Sequence, residues 1–357
     1  MLKNYQLQLV IVLLMTLPVM AKSSILSDTV ERITHRGELR LGAVRTEDSD
    51  KKTTSTLSMG GRVSLSTKPI YGINATATLF TTNPLFGKKS EGMFLSSDER
   101  GYSIVGESYL EANFGKNIIK VGRQILDTPY ADSDDIGMIP NSFEGYSLVN
   151  QDIEDSTIVL ALLDRWSGVD APLPERFTKI QESGDAFFSA GFIYEGLANT
   201  TLQAWHYKLD NVNFNYAEIG YGTERFNIAL QYTDQDNSNV AYGLSVGGEM
   251  EGLSLHMAYN RVDGMVSNGF GGGPFFTSSE DHTIAEVTDQ EAIAYGAEYL
   301  VSPKITVALS HSNFDKGEDE TDYLASFEVN KNHTLDIIYS DMYDDGNMVR
   351  FFANYQF

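Results

Sequence analysis

The sequence predicts an all-β chain: a transmembrane antiparallel β-barrel of about eighteen strands, with short periplasmic turns and long extracellular loops. Two observations carry the expectation: an apolar–polar alternation that recurs from Leu39 to Phe357, and connections whose lengths alternate. Successive side chains of a strand point to opposite faces, so the alternation gives every strand one apolar and one polar face. The last segment shows it best. Val349, Phe351, Ala353, Tyr355 and Phe357 share one face, while Met348, Arg350, Phe352, Asn354 and Gln356 share the other. A final strand that is apolar to its last residue is expected where it must close the sheet against the first. Phe351, Tyr355 and Phe357 are therefore assigned as an assembly signal. A β-sandwich whose last strand is paired is the alternative for this segment taken alone.

The N-terminus reads as a secretory signal over residues 1–21. Lys3 supplies the positive start, Leu9 to Leu17 the apolar core, and Val19-Met20-Ala21 a small-residue cleavage site. The apolar stretch falls short of the ~20 residues needed to span a bilayer, and Pro18 interrupts it. The alternative is a signal anchor. Residues 22–35 form an N-terminal periplasmic segment, locally helical over 25–34, and 36–357 form one barrel domain.

The strands are placed, in order, at 36–46, 54–66, 71–82, 101–114, 118–126, 142–150, 155–165, 184–195, 198–209, 211–222, 225–234, 240–250, 252–262, 291–301, 304–313, 320–330, 333–341 and 346–357. Sixteen strands is the nearest alternative count. Turns such as Gly115-Lys116-Asn117 are short, whereas 83–100, 127–141, 166–183 and 263–290 are long. Short turns on one side and long loops on the other are the plan of an outer-membrane barrel. Aromatics near strand ends, among them Phe80, Tyr102, Phe114, Tyr194, Tyr207, Tyr221, Tyr299 and Tyr339, are expected in the interfacial girdles.

Composition narrows the function. The chain has no Cys, which leaves no disulfide framework and no lipid attachment at the cleavage point. Its formal net charge is −23, which excludes nucleic acid as a partner and suits cations. The six His residues show no metal spacing, and Gly-x-Ser-x-Gly is absent. No enzyme and no cofactor are expected. A barrel hydrolase would have only Ser254 with His256, or Ser310 with His311, as candidates.

The segment from Val121-Gly-Arg-Gln through Asp127-Thr-Pro and Ser133-Asp-Asp135 to Pro140 and Phe143-Glu-Gly-Tyr146 resembles the OprD-type outer-membrane porins. Gly271-Gly-Gly-Pro274 is similar to a second element of that family. The resemblance implies an eighteen-stranded pore whose third extracellular loop, here about 127–141, folds into the lumen. On that basis Asp132, Asp134 and Asp135 are assigned the negative side of a constriction, with Arg123 opposite them. The alternative for the aspartates is a solvated turn.

By strand parity Arg40, Arg62, Arg225 and Arg350 are basic residues of the pore wall. Each could instead pair with a lumen carboxylate such as Glu107, Glu111, Glu144, Glu218 or Glu298. Tyr130 and Asp281 are expected to line a vestibule. Asp315, Glu318, Asp319 and Glu320, with Asp341, Asp344 and Asp345, make an acidic outer mouth able to hold Ca²⁺ or Mg²⁺ loosely. The expected function is passive diffusion of small solutes, cations preferred, with amino acids or peptides among them. The alternative is a non-conducting barrel for adhesion or structure. Expected partners are outer-membrane lipid and lipopolysaccharide, the barrel-assembly machinery and small solutes; a homotrimer is compatible.

Overall fold

A computed structural model describes residues 33–88, 93–181, 183–236 and 238–357. The signal-peptide reading of residues 1–21 falls outside them. So does most of the local helix, whose last two residues, Ile33 and Thr34, instead begin a strand.

The strands are β1 (Ile33–Asp48), β2 (Thr53–Thr67), β3 (Ile73–Lys88), β4 (Tyr102–Phe114), β5 (Asn117–Gln124), β6 (Ser142–Asn150) and β7 (Ser156–Ser167). They continue with β8 (Thr178–Lys179), β9 (Phe187–Leu197), β10 (Thr200–Leu209), β11 (Val212–Gly222), β12 (Phe226–Gln235), β13 (Asn239–Met250) and β14 (Leu253–Asp263). The last are β15 (Glu291–Ser302), β16 (Ile305–Phe314), β17 (Glu320–Asn330), β18 (His333–Asp341) and β19 (Gly346–Gln356).

Each long strand pairs antiparallel with the next, and β19 returns to pair with β1, so the sheet is closed. The short β8 only extends the end of β7, which pairs directly with β9. Eighteen strands therefore make the barrel, as the alternation predicts. The main boundary difference is β3, which runs to Lys88 and takes six residues from the expected loop.

Closure is sealed at the last residue. Gly37 and Phe357 exchange both backbone hydrogen bonds, at 2.9 and 3.0 Å, and Leu39 stands opposite Tyr355. A closed ladder leaves no unpaired sheet edge for lipid, which cannot satisfy one.

Large apolar side chains such as Met59, Leu110, Leu230, Leu255 and Tyr299 are exposed on the outer face. Phe80 and Tyr207 are fully buried on the inner face, and Tyr102 packs beside Phe80, so these three are not girdle residues. Phe114, Tyr221 and Tyr299 are exposed, as a girdle requires.

Inside, three loops fold against the wall. Residues 93–95 and 136–140 pack with Val44, Phe80 and Phe352, and loop 264–290 packs on β13–β16. Gly42 makes room for the first two, because a Cβ there would stand 2.6 Å from Met138 Sδ and 2.7 Å from the Phe94 ring. Gly42→Val should cost about 1–3 kcal/mol by overpacking. Urea unfolding of the barrel, followed by the shift of its band on unheated gels, checks the value.

Candidate functional site

The narrow part of the lumen is built where the third loop meets β1 and β2. Arg40, Arg62 and Glu38 all project inward from these strands: Glu38 faces Arg62 across the ladder, and Arg40 lies two residues along from Glu38. Asp135 comes to them from the loop. Arg40 Nη1 donates to Asp135 Oδ1 at 2.7 Å and to the Gly137 carbonyl at 2.5 Å, and its Nε donates to Asn354 at 2.9 Å. Glu38 lies 3.0 Å from Arg40, and Arg62 bridges Glu38 at 3.3 Å and Asp135 at 3.6 Å.

Two guanidiniums and two carboxylates thus form one network. Burial differs within it. The side chains of Arg62 and Asp135 are 33% and 30% exposed, whereas those of Arg40 and Glu38 are nearly sealed at 10% and 8%. Just to the periplasmic side lies a cavity of 490 Å³, lined among others by Arg36, Arg62, Glu107 and Lys120. Lys120 is 3.8 Å from Glu111 and sits over the Tyr109 ring at 4.9 Å. Sequence reading missed Glu38, Arg36 and Lys120, although their parity with Arg40, Arg62 and Glu111 was there to find them.

Asp132 and Asp134 do not join Asp135. Loop 264–290 meets the third loop inside the barrel: Ala131 and Phe270 form a parallel bridge, with Asp132 N donating to Phe270 O and Phe270 N to Tyr130 O. The Asp132 carboxylate accepts from the backbone N–H of Gly272 and Gly273 at 3.3 and 3.4 Å, and from Asp134 N at 3.0 Å. Burial pushes its pKa up to about 6, with the charge of Asp170 adding, against the pull of those donors. Asp134 faces Asp170, and burial, then that neighbouring charge, raises its pKa too. The expected carboxylate ring is instead one ion-paired aspartate beside two loop-bound ones.

Several other assignments change. Tyr130 lines no vestibule. It is fully buried, edge-on to Tyr207 at 5.3 Å, with its hydroxyl 2.7 Å from Thr233 Oγ1, because an inward loop brings its own apolar core. Arg350 is also fully buried, held by Glu280 at 3.1 Å and Asp281 at 3.2 Å, so Asp281 is tied to the wall rather than open.

Arg225 lies in an exposed turn before β12, its N–H bonded to Thr223 Oγ1, so it is no wall residue. Arg123 stands opposite Ser108 and Glu144, on the face of the exposed Ile119 and Val121, outside the lumen. Glu144 goes with it. The constriction role that the family resemblance implied for Arg123 therefore does not hold.

The outer-mouth acids mostly hold turns: Asp315 accepts from Glu291 N, Asp319 from Phe314 N and Asp341 from Tyr343 N. Glu320 is buried and accepts from the N–H of Asp281 and His282. Among the described residues no group of three or more His, Asp or Glu side chains is arranged to hold a metal ion. Ser310 and His311, adjacent on β16, point to opposite faces and bond to Asp322 and Thr321.

The Asp132 carboxyl ionises at about 6 when folded, above the usual carboxylate value. Over roughly pH 4–6 the folded state therefore binds more protons than the unfolded chain, and stability falls as pH rises through that window, then levels. Asp132→Asn should remove this slope. Urea midpoints for both proteins at pH 4, 5, 6 and 7 would reveal it as a loss of wild-type stability relative to the variant as pH rises; a constant difference would refute it.

The family model described as "outer membrane porin, OprD family" matches residues 96–267. No curated protein sequence matches the chain. Among solved structures the chain is similar to OpdK of Pseudomonas aeruginosa, with a TM-score of 0.76 at 15% identity over 92% of this chain and 99% of that one. OccAB4 of Acinetobacter baumannii also gives 0.76 at 15% identity, covering 91% and 98%. A BenF-like porin of Pseudomonas fluorescens gives 0.75 at 14%, covering 91% and 98%. At such identities these structures speak for the fold alone. With the OprD-family model matching β4 to β14, just under half of the chain, and a closed eighteen-strand barrel of the same fold around it, the chain resembles the OprD-family porins, and its place is the Gram-negative outer membrane.

Proposed function

We propose that the protein passes small solutes by diffusion, that zwitterions such as amino acids or short peptides suit it best, and that it favours cations over anions. The observation that carries the reading is Arg62, which lines the cavity, with Asp135 3.6 Å from it and both part-exposed. Opposite charges close together on low-dielectric walls give a transverse field that orients a solute bearing both signs. The cation preference draws on the overall charge of −23 and on Glu280 and Asp281, which share the single guanidinium of Arg350. The preference therefore lies in the sum of lumen charge rather than in the three loop aspartates as a ring. We further read Phe351, Tyr355 and Phe357 as the segment presented to the assembly machinery, since their strand completes the closing ladder.

Planar-bilayer recording under a KCl gradient tests the reading. Stepwise openings with a cation-selective reversal potential are expected. Silence from folded, inserted protein would instead favour a closed barrel serving adhesion. Asp135→Asn should release the positive field of Arg40 and Arg62 and lower the cation-to-anion permeability ratio about sixfold, since one unit charge at about 8 Å in water is worth about 0.5 kcal/mol, lost by the cation and gained by the anion. Asp132→Asn at pH 5, where that carboxyl is already largely protonated, should change the ratio far less. Equal effects of the two would rule out the assignment of Asp135.

A further inference from the structure

The outer face carries a row of cations that the pore does not use. Register sets the row: Ser108, Arg123, Glu144, Arg165 and Lys179 stand opposite one another across β4 to β8. Two residues along β4, β5 and β6, and three along the bulged β7, toward the periplasm, the same face shows Leu110, Val121, Tyr146 and Leu162, all exposed. At a rise of about 3.3 Å per residue the charged row stands about 7 Å beyond that apolar row, on the side of the long loops.

A bulge between Leu163 and Arg165 keeps Asp164 and Arg165 outward together, while Leu163 and Trp166 turn into the aromatic core. In β8 and its flanks Lys179 faces out and Ile180 packs on that core. Phe177, two residues before Lys179, lies against the Arg123 guanidinium at 4.2 Å.

Among the described residues, three cations here meet two carboxylates. Arg123 donates through Nε to Glu144 at 2.7 Å and through Nη1 to the Val105 carbonyl at 3.3 Å. Lys179 pairs with Asp164, while Arg165 approaches Asp164 only through Nε, at 3.5 Å. Among the described residues Arg123 Nη2 and both Nη atoms of Arg165 donate no hydrogen bond, and Arg165 and Lys179 are 43% and 44% exposed. A forked guanidinium beside an ammonium, with one positive charge in excess, matches a phosphate. A solute in the lumen never meets this face; a lipid does.

We propose that the extracellular rim of β5–β8 binds the phosphate of an outer-leaflet glycolipid of the lipid A type. Arg165 and Lys179 hold the phosphate, Arg123 stands beside them, steadied by Glu144 and Phe177, and the acyl chains lie over the apolar row below. The site rests on the outer-membrane placement and not on which solutes pass.

The test is native mass spectrometry of the folded full chain in detergent, with diphosphoryl lipid A as the probe. Wild type should retain one lipid A, and R165Q/K179Q should hold it about tenfold more weakly. Enzymatically dephosphorylated lipid A should be held no better by wild type than by the variant. R165Q alone, which removes no hydrogen bond, should weaken binding in the same direction with an intact heat-modifiable barrel. Equal retention by wild type and both variants overturns the proposal. So does a row-dependent affinity for phosphatidylglycerol equal to that for lipid A, or displacement by millimolar inorganic phosphate. A conducting channel whose lipid A binding is indifferent to the row would sink this inference alone, and a silent channel that binds lipid A through the row would sink only the solute reading.

Discussion

Everything in this molecule depends on the ladder between β1 and β19. An unpaired N–H or C=O in hydrocarbon has no partner, so a sheet in a membrane must either close or fail. Eleven residue pairs from Glu38 to Asp48 make that closure. The exchange between Gly37 and Phe357 carries the pairing to the end of the strand. Once it is made, outside and inside are fixed for all other strands, because a slip of one residue would turn every apolar side chain into water.

Closure gives a pipe; the inward loops make it a filter. They are held by amides and hydroxyls that the wall presents to them. Gln235 both donates to and accepts from the backbone of Ser267, Asn260 accepts from Thr277 N, Gln231 donates to the Pro274 carbonyl, and Thr82 donates to that of Phe94. Side chains that look like a wet channel lining in the sequence are in part the floor on which the loops rest. The same loops bury Tyr130 and Arg350, so lumen parity is necessary for a residue to meet solute but not sufficient.

The fold was legible because period-two alternation survives in almost every strand, and loop length told the two ends apart. The third loop and its neighbours were found through the Gly-Arg-Gln to Phe-Glu-Gly run. What was not legible has three physical causes. Strand ends shift by a residue or two, which moved Arg225 into a turn. Bulges add a residue and break parity, as at Asp164, and nothing in the local composition marks them. Loop-to-loop contacts such as Asp132 with Gly272 and Gly273 join segments 140 residues apart, a distance no periodicity reaches. Arg123 teaches the converse: in the strand it alternates outward with Ile119 and Val121, and local geometry outweighs the analogy that put it in the constriction.

The bridge between Ala131 and Phe270 also bears on how such a barrel can diversify. Because each loop supplies part of the other's backbone pairing and aromatic packing, the two are one inherited unit spread over two stretches of chain. A change of length in one meets resistance unless the other adjusts. New permeation preferences should therefore arise by paired substitution or by swapping both loops together, while the strands beneath remain free to drift as long as their alternation holds.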